Sequence, residues 1–189
     1  MTHALITPPE AEPITLGEFK AHLRIDDGDE DALLADLARA ARDHLERMTG
    51  LALINQGWRL FLDDWPESGT IDLVRGPVTA IDAVRFYDEA GEAVEMPLAG
   101  HVLDGARRPA RLWIRGRPDP RRAINGIEVD FTAGFGESGA DVPDTLRRAL
   151  LLHAAHMYEF RGAVPVELQP ASIPEGYDRL VAPFRMRRL

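Results

Sequence analysis

The hydrophobic positions along this chain change their period twice. In "ITLGEFKAHLRI", Leu16, Phe19 and Leu23 fall on one helical face. Thr15 can cap that helix, Glu18 three residues on completes a capping box, and Ile14 can staple to Phe19. A helix is predicted over 15–24. After the break at "DDGDED", a second is predicted over 30–48, with Leu33, Leu34, Leu37, Ala41, Leu45 and Met48 as its stripe and Gly50 as its stop. The acids at 26–31 stand at its N-terminus, where the helix dipole favours negative charge.

From residue 53 to residue 136 the period falls to two. "LINQGWRLFLDDW", "TIDLV", "VTAIDAVRFYD", "EAVEMPL", "RLWIRG" and "INGIEVDFTAGFG" are short, rich in β-branched and aromatic residues, and bounded by Gly, Pro or Asp. "DEAGEA" reads as a hairpin turn, and "FTAGFGESG" as a turn with positive φ at Gly134 and Gly136. The helical period returns at "DVPDTLRRALLLHAAHMYEFRG", predicting a helix over 143–160 with Pro143 in its first turn. Leu146, Leu150, His153, Met157 and Phe160 mark its face, and Leu151, Leu152, Ala154, Ala155 and Tyr158 widen it. Such a helix needs a bundle or a neighbouring subunit around it. A proline-rich connector, "VPVELQPASIP", leads to a short helix in "SIPEGYDRLVA", with Ser172 and Glu175 as its capping box and Pro183 as its stop.

The fold class predicted is therefore α+β: a small α-helical bundle with an inserted antiparallel β-sheet or open-barrel region and an extended C-terminal tail. The expected boundaries are 1–55 and 137–176 for the helical domain, 56–136 for the insertion and 177–189 for the tail.

Composition narrows the class. A length of 189 residues, 45% of them hydrophobic and 28% charged, can bury a core. Absence of Cys excludes disulfides, a thiolate nucleophile and Cys-ligated zinc. No apolar run approaches the ~18 residues that span a bilayer. "MTHALITPPE" lacks the basic and apolar regions of a signal peptide, so manufacture and assembly in the cytoplasm are expected. The net charge of −9 argues against wrapping nucleic acid, but an acidic wall lets DNA pass without sticking. Residues 177–189 run against that charge: four arginines less Asp178 give +3, leaving −12 elsewhere.

Candidate chemistry is sparse. His153, His156 and Glu159 in "HAAHMYE" could approach a metal on one helix, but the order H-E-x-x-H is absent. "DDGDED" lacks the spacing of a calcium loop, and "FTAGFGESG" lacks the lysine of a phosphate loop. No catalytic set, cofactor site or metal site is expected. The terminal "VAPFRMRRL" has two readings, a frayed end or a peptide that orders only on a partner. In an extended segment Phe184, Met186 and Arg188 face one way, and Arg185, Arg187 and Leu189 the other.

Taken in order, "ITLGEFKAHLRID", "DEDALLADLARAARDHLERMTGLALINQGW", "VDFTAGFGESGADVPDTLRRALLLHAAHMYEFRG" and "IPEGYDRLVAPFRMRRL" resemble the head–tail connector (adaptor) proteins of long-tailed phages and gene transfer agents. The region 65–125 departs most from that likeness. The resemblance implies a structural, non-enzymatic protein in the neck of a virion or phage-like particle, assembled in a bacterial cytoplasm. It implies a homo-oligomeric ring, a dodecamer, below the portal protein and above the next neck (stopper) protein. DNA would pass through its channel without specific binding, and no membrane would be involved. It also implies that Phe184, Arg185, Met186, Arg187, Arg188 and Leu189 dock on the portal. Two rivals follow from the residues alone. One is a metal-assisted hydrolase using His153, His156 and Glu159. The other is a carbohydrate-binding sheet using Trp58, Trp65, Phe86, Tyr87 and Trp113.

Overall fold

Residues 2–160 and 173–185 are described by the computed structural model, which divides into two units. One comprises residues 1–10 and 55–135, the other 11–54 and 136–189. The mixed α+β class is as expected, with two antiparallel sheets rather than a closed barrel.

The helical unit follows its sequence signals closely. Helix α1 (Leu16–Leu23) begins at a complete Thr15–Glu18 capping box and ends at Arg24 in the left-handed region. Helix α2 (Asp31–Thr49) ends at Gly50 with φ 71°, where the missing Cβ removes the penalty of that conformation. Helix α3 (Asp144–Glu159) starts from Pro143. Phe19, Leu34, Ala41, Leu45, Leu146, Leu150 and Ala154 are all fully buried. Two residues of the expected α2 stripe, Leu33 and Met48, are instead exposed, while Ala38 and Thr49 are buried. Leu33 lies 100° around the helix from Leu34, outside the face that α3 covers.

The sheet unit contains β1 (Thr2–Thr7), β2 (Gln56–Leu62), β3 (Thr70–Leu73), β4 (Val78–Tyr87), β5 (Ala93–Glu95), β6 (Val102–Asp104), β7 (Ala110–Trp113) and β8 (Ile127–Ala133). They form a five-stranded sheet ordered β1-β2-β8-β4-β5 and a three-stranded sheet ordered β3-β7-β6. Alternation along β2 and β8 sends Trp58, Leu60, Leu62, Ile127, Val129 and Phe131 into the core, joined by Ile71, Leu73 and Leu112 of the smaller sheet. The DEAGEA turn forms as expected, with Asp88 Oδ1 accepting from Ala90 and Glu92 amides and Gly91 at φ 78°.

Two sequence expectations are corrected, and one strand was not predicted. Residues 2–7, expected within the helical domain of 1–55, form strand β1, paired to β2 with Ala4 opposite Arg59. Strand β6, three residues long, carries too little alternation to register in the sequence. Gly136 has no positive φ; its small size is needed because a Cβ there would lie 2.4 Å from the Asp141 carboxylate.

Candidate docking site

The expected docking tail begins in the helical unit. A short helix, α4 (Tyr177–Val181), continues as a 3-10 turn over Ala182–Phe184. Pro183 thus ends the α-helical hydrogen bonding without making the chain extended at once. The segment is rooted by Tyr177 and Val181, one turn apart and both fully buried. The Tyr177 ring packs edge-on to His153 of α3, with centroids 5.3 Å apart, and lies 6.2 Å from His44 of α2. His44 and His153 are themselves in edge contact at 4.9 Å.

This aromatic trio sets the local electrostatics. Burial pushes the Tyr177 hydroxyl up to about 12, against an opposing pull from Arg185. Burial, then the charges of Arg47 and Arg185, holds the His44 imidazole below its ordinary value. Tyr177 Oη has no hydrogen-bond partner among the described residues. Beyond the root, Arg185 turns back to Asp178, Nη2 to Oδ1 at 2.5 Å. Of the six expected docking residues, Phe184 and Arg185 are therefore placed beside this root. Met186, Arg187, Arg188 and Leu189 lie outside the described residues, as does Ser172 of the expected capping box.

His153, His156 and Glu159 do not converge. His153 points into the aromatic trio, His156 packs on Phe160 at 4.7 Å, and Glu159 is exposed. Each step of three residues turns a helix by −60°, so the first and last of the set are already 120° apart. Among the described residues no three His, Cys, Asp or Glu side chains group as metal ligands. The aromatics of the carbohydrate reading are equally scattered. Trp58 lies in the core under Arg75, 4.6 Å from the ring centroid. Trp65 donates to the Pro118 carbonyl, Tyr87 donates to Glu128, and Trp113 stands on the other sheet.

Two further features went unmarked in the sequence. One face of the larger sheet carries a partly buried ionic network across its three central strands. Arg59 holds Asp130 with two hydrogen bonds, 2.6 and 2.9 Å, and Arg85 reaches the same carboxylate at 2.7 Å. Arg59 also pairs with Glu128 at 3.1 Å. Burial would raise the Asp130 carboxyl, but the bonds from Arg59 and Arg85 hold it below the aspartate range. In the helical unit, a cleft of about 320 Å³ is lined by Ile14, Leu16, Leu34, Ala38 and the Glu12 side chain. Glu12 is its one acidic lining residue, and it accepts from Arg42 Nη1 at 2.7 Å.

Residues 13–90 match the family model of the phage gp6-like head–tail connector proteins. Over the full chain, a protein in the neck of an empty gene transfer agent particle, computed with C6 symmetry, is 34% identical with a TM-score of 0.82. The likeness covers 100% of this chain and 97% of that one. The chain belongs to the phage gp6-like head–tail connector family. The connector is similar, with the same coverage, to a chain of the virion of a native gene transfer agent particle, at 32% identity and TM-score 0.81. It is also similar to one in the neck of a native particle computed with C12 symmetry, at 33% and 0.78. No curated protein matches it. As a family member it is a structural protein of the virion neck, not an enzyme. The matched span includes residues 65–125, the region expected to depart most from the likeness.

Proposed function

We propose that the connector assembles as a twelve-membered ring in the neck of a phage-like particle, between the portal and the stopper protein. The observation that carries this is its end-to-end likeness to a chain of a neck computed with C12 symmetry. Leu33, Met48 and Phe160, exposed on the helical unit, suit contacts between ring neighbours. DNA would thread the ring without base recognition.

Attachment to the portal is assigned to the segment from Phe184 to Leu189. Tyr177, fixed in the connector's own core, anchors the segment that would engage the portal. Pairing of Arg185 with a portal carboxylate would replace its internal partner Asp178, and Phe184, Met186 and Leu189 would fill apolar pockets. Twelve tails acting together would offset the entropy of ordering each one.

The test is co-expression of connector and portal with electron microscopy of the product. Full-length connector should give rings matching the portal's copy number. A chain ending at Phe184 keeps Tyr177 and Val181, so it should fold normally and fail to cap portals. Capping at full stoichiometry by that shortened chain would remove the tail from the interface. One or two copies per portal would remove the ring.

A further inference from the structure

The net negative charge of the connector hides a strongly positive segment. Residues 105–122, "GARRPARLWIRGRPDPRR", contain seven arginines and one aspartate, a balance of +6, so all other residues together carry −15. The segment holds β7 and its flanking loops. Arg111, Trp113 and Arg115 alternate with the buried Leu112 and Ile114, which places the three on one face. That alternation continues past the end of β7. Ile114 N bonds to the Gly69 carbonyl at 3.3 Å, and Arg115 N to His101 Nδ1 at 3.1 Å.

The face is open. Trp113 is 44% exposed and Val102, directly opposite it on β6, is 59% exposed. Arg107, Arg115 and Arg117 are all exposed. Arg117 bonds only to the backbone carbonyls of Pro66 and Glu67, and Arg115 forms no ion pair among the described residues. A Cβ on Gly69 would lie 3.4 Å from Arg117 Nη1 and 3.6 Å from Trp113 Nε1, so guanidinium and indole share the ground above that glycine. Among the described residues Arg111 is the member held by a close ion pair, to Asp104 at 2.8 Å, and the charge and backbone N–H of Arg107 also act on that carboxylate. The acids near the strip are Glu67, Asp72, Glu89, Asp104 and Asp119; seven arginines less these five still leave +2.

We propose that this face, Arg111–Trp113–Arg115 with Arg107 and Arg117 beside it, is a binding surface for the phosphate backbone of DNA. Uncommitted guanidiniums bind phosphate oxygens, and an exposed indole among them offers a face for sugar or an unpaired base. Nothing on the strip is arranged to read base edges, so the binding is indifferent to sequence. The choice of arginine over lysine carries no weight, since Lys20 is the only lysine in the chain. The surface belongs to the sheet unit by itself and stands whether or not the ring reading holds.

The test uses the full chain, with fluorescence anisotropy of labelled 30-nucleotide single strands and 30-base-pair duplexes across a salt series. Binding of about 1–100 μM is expected near physiological salt, with log K falling about 0.7 to 0.9 per phosphate engaged as log salt rises. The double variant Arg115→Ser/Arg117→Ser should weaken binding at least about tenfold and reduce that slope by roughly 1.5 to 2. Trp113→Ala identifies the source: a loss on single strands alone marks unpaired DNA, and an equal or absent effect on both marks the duplex. Arg187→Ser/Arg188→Ser should leave binding in place. If the double variant unfolds, Arg107→Ser in the exposed turn gives the same reading at half the slope change. The proposal is overturned if the wild-type chain binds neither DNA at low salt. It is equally overturned if binding survives the strip variants and vanishes with the tail variant, or if those variants change only self-association.

Discussion

Single side chains decide how the C-terminal segment is held. Tyr177 presents an apolar ring to two histidines and buries a hydroxyl for which the described residues supply no partner. An unsatisfied buried hydroxyl costs on the order of 1 kcal/mol or more, so Tyr177→Phe should raise stability by about that amount in urea unfolding. The same variant should flatten the alkaline limb. The Tyr177 pKa is raised from 10.0 to about 12, so the neutral form's contribution is whole below pH 10 and is lost as pH climbs toward 12. His44 works in the opposite direction. Its pKa is lowered from 6.5, so its contribution is whole above pH 6.5 and declines as pH falls through the folded value. Arg47, Arg185 and Asp178 are the charges facing this trio. The sequence marked Pro183 as a stop but not this root. An i, i+4 pair of Tyr and Val is a faint signal, and the return of Arg185 to Asp178 spans the 3-10 turn at Pro183 that breaks the α-helix between them.

At the scale of elements, helices were far more legible than strands. Thr15, Glu18 and Gly50 mark α1 and α2 through local backbone chemistry, so their bounds fall within a residue or two of expectation. Strand β1 was missed because "THALIT" has no alternation of its own, and pairing with β2 alone gives it structure. The charged face of the larger sheet was equally silent: Arg59, Arg85 and Asp130 lie 26 to 71 positions apart in the chain and meet only through strand register. Asp130 is the hub of that network. Asp130→Asn should cost about 2–3 kcal/mol in denaturant unfolding, below the ~3–5 of a fully buried pair because both arginines are partly solvated. The Asp130 pKa is lowered, so its share is present above about pH 4 and lost as pH falls through the folded value. The wild-type and variant stability curves should therefore converge in acid.

For the whole molecule, the division into two units predicts separable folding. Joining residues 11–54 to 136–189 through a short glycine–serine link should preserve the helical unit. Gln56 and Ala133 pair across β2 and β8, so the cut ends lie within the reach of a few residues. Cooperative thermal unfolding monitored by circular dichroism is expected of that chain, and a gradual melt would make the sheet unit part of one core. Removing 56–133 alone is the worse excision, because it strands β1 without its partner β2. The sequence legibly separated helical ends from a β-rich middle. It concealed that the first ten residues side with the middle, because unit membership is a matter of contacts far apart in sequence.

The nested order of the two units also bears on synthesis at the ribosome. Strand β1 is made first, yet β8, which joins β2 to β4 at the centre of its sheet, is not complete until residue 133. Helices α1 and α2 follow β1 but wait for α3, which ends at Glu159. At about 5–20 residues per second, the nascent connector spends several seconds with neither unit able to close. A translation product cut short before residue 127 therefore contains no foldable half, so incomplete chains meet the cell's proteases instead of competing for places in a particle.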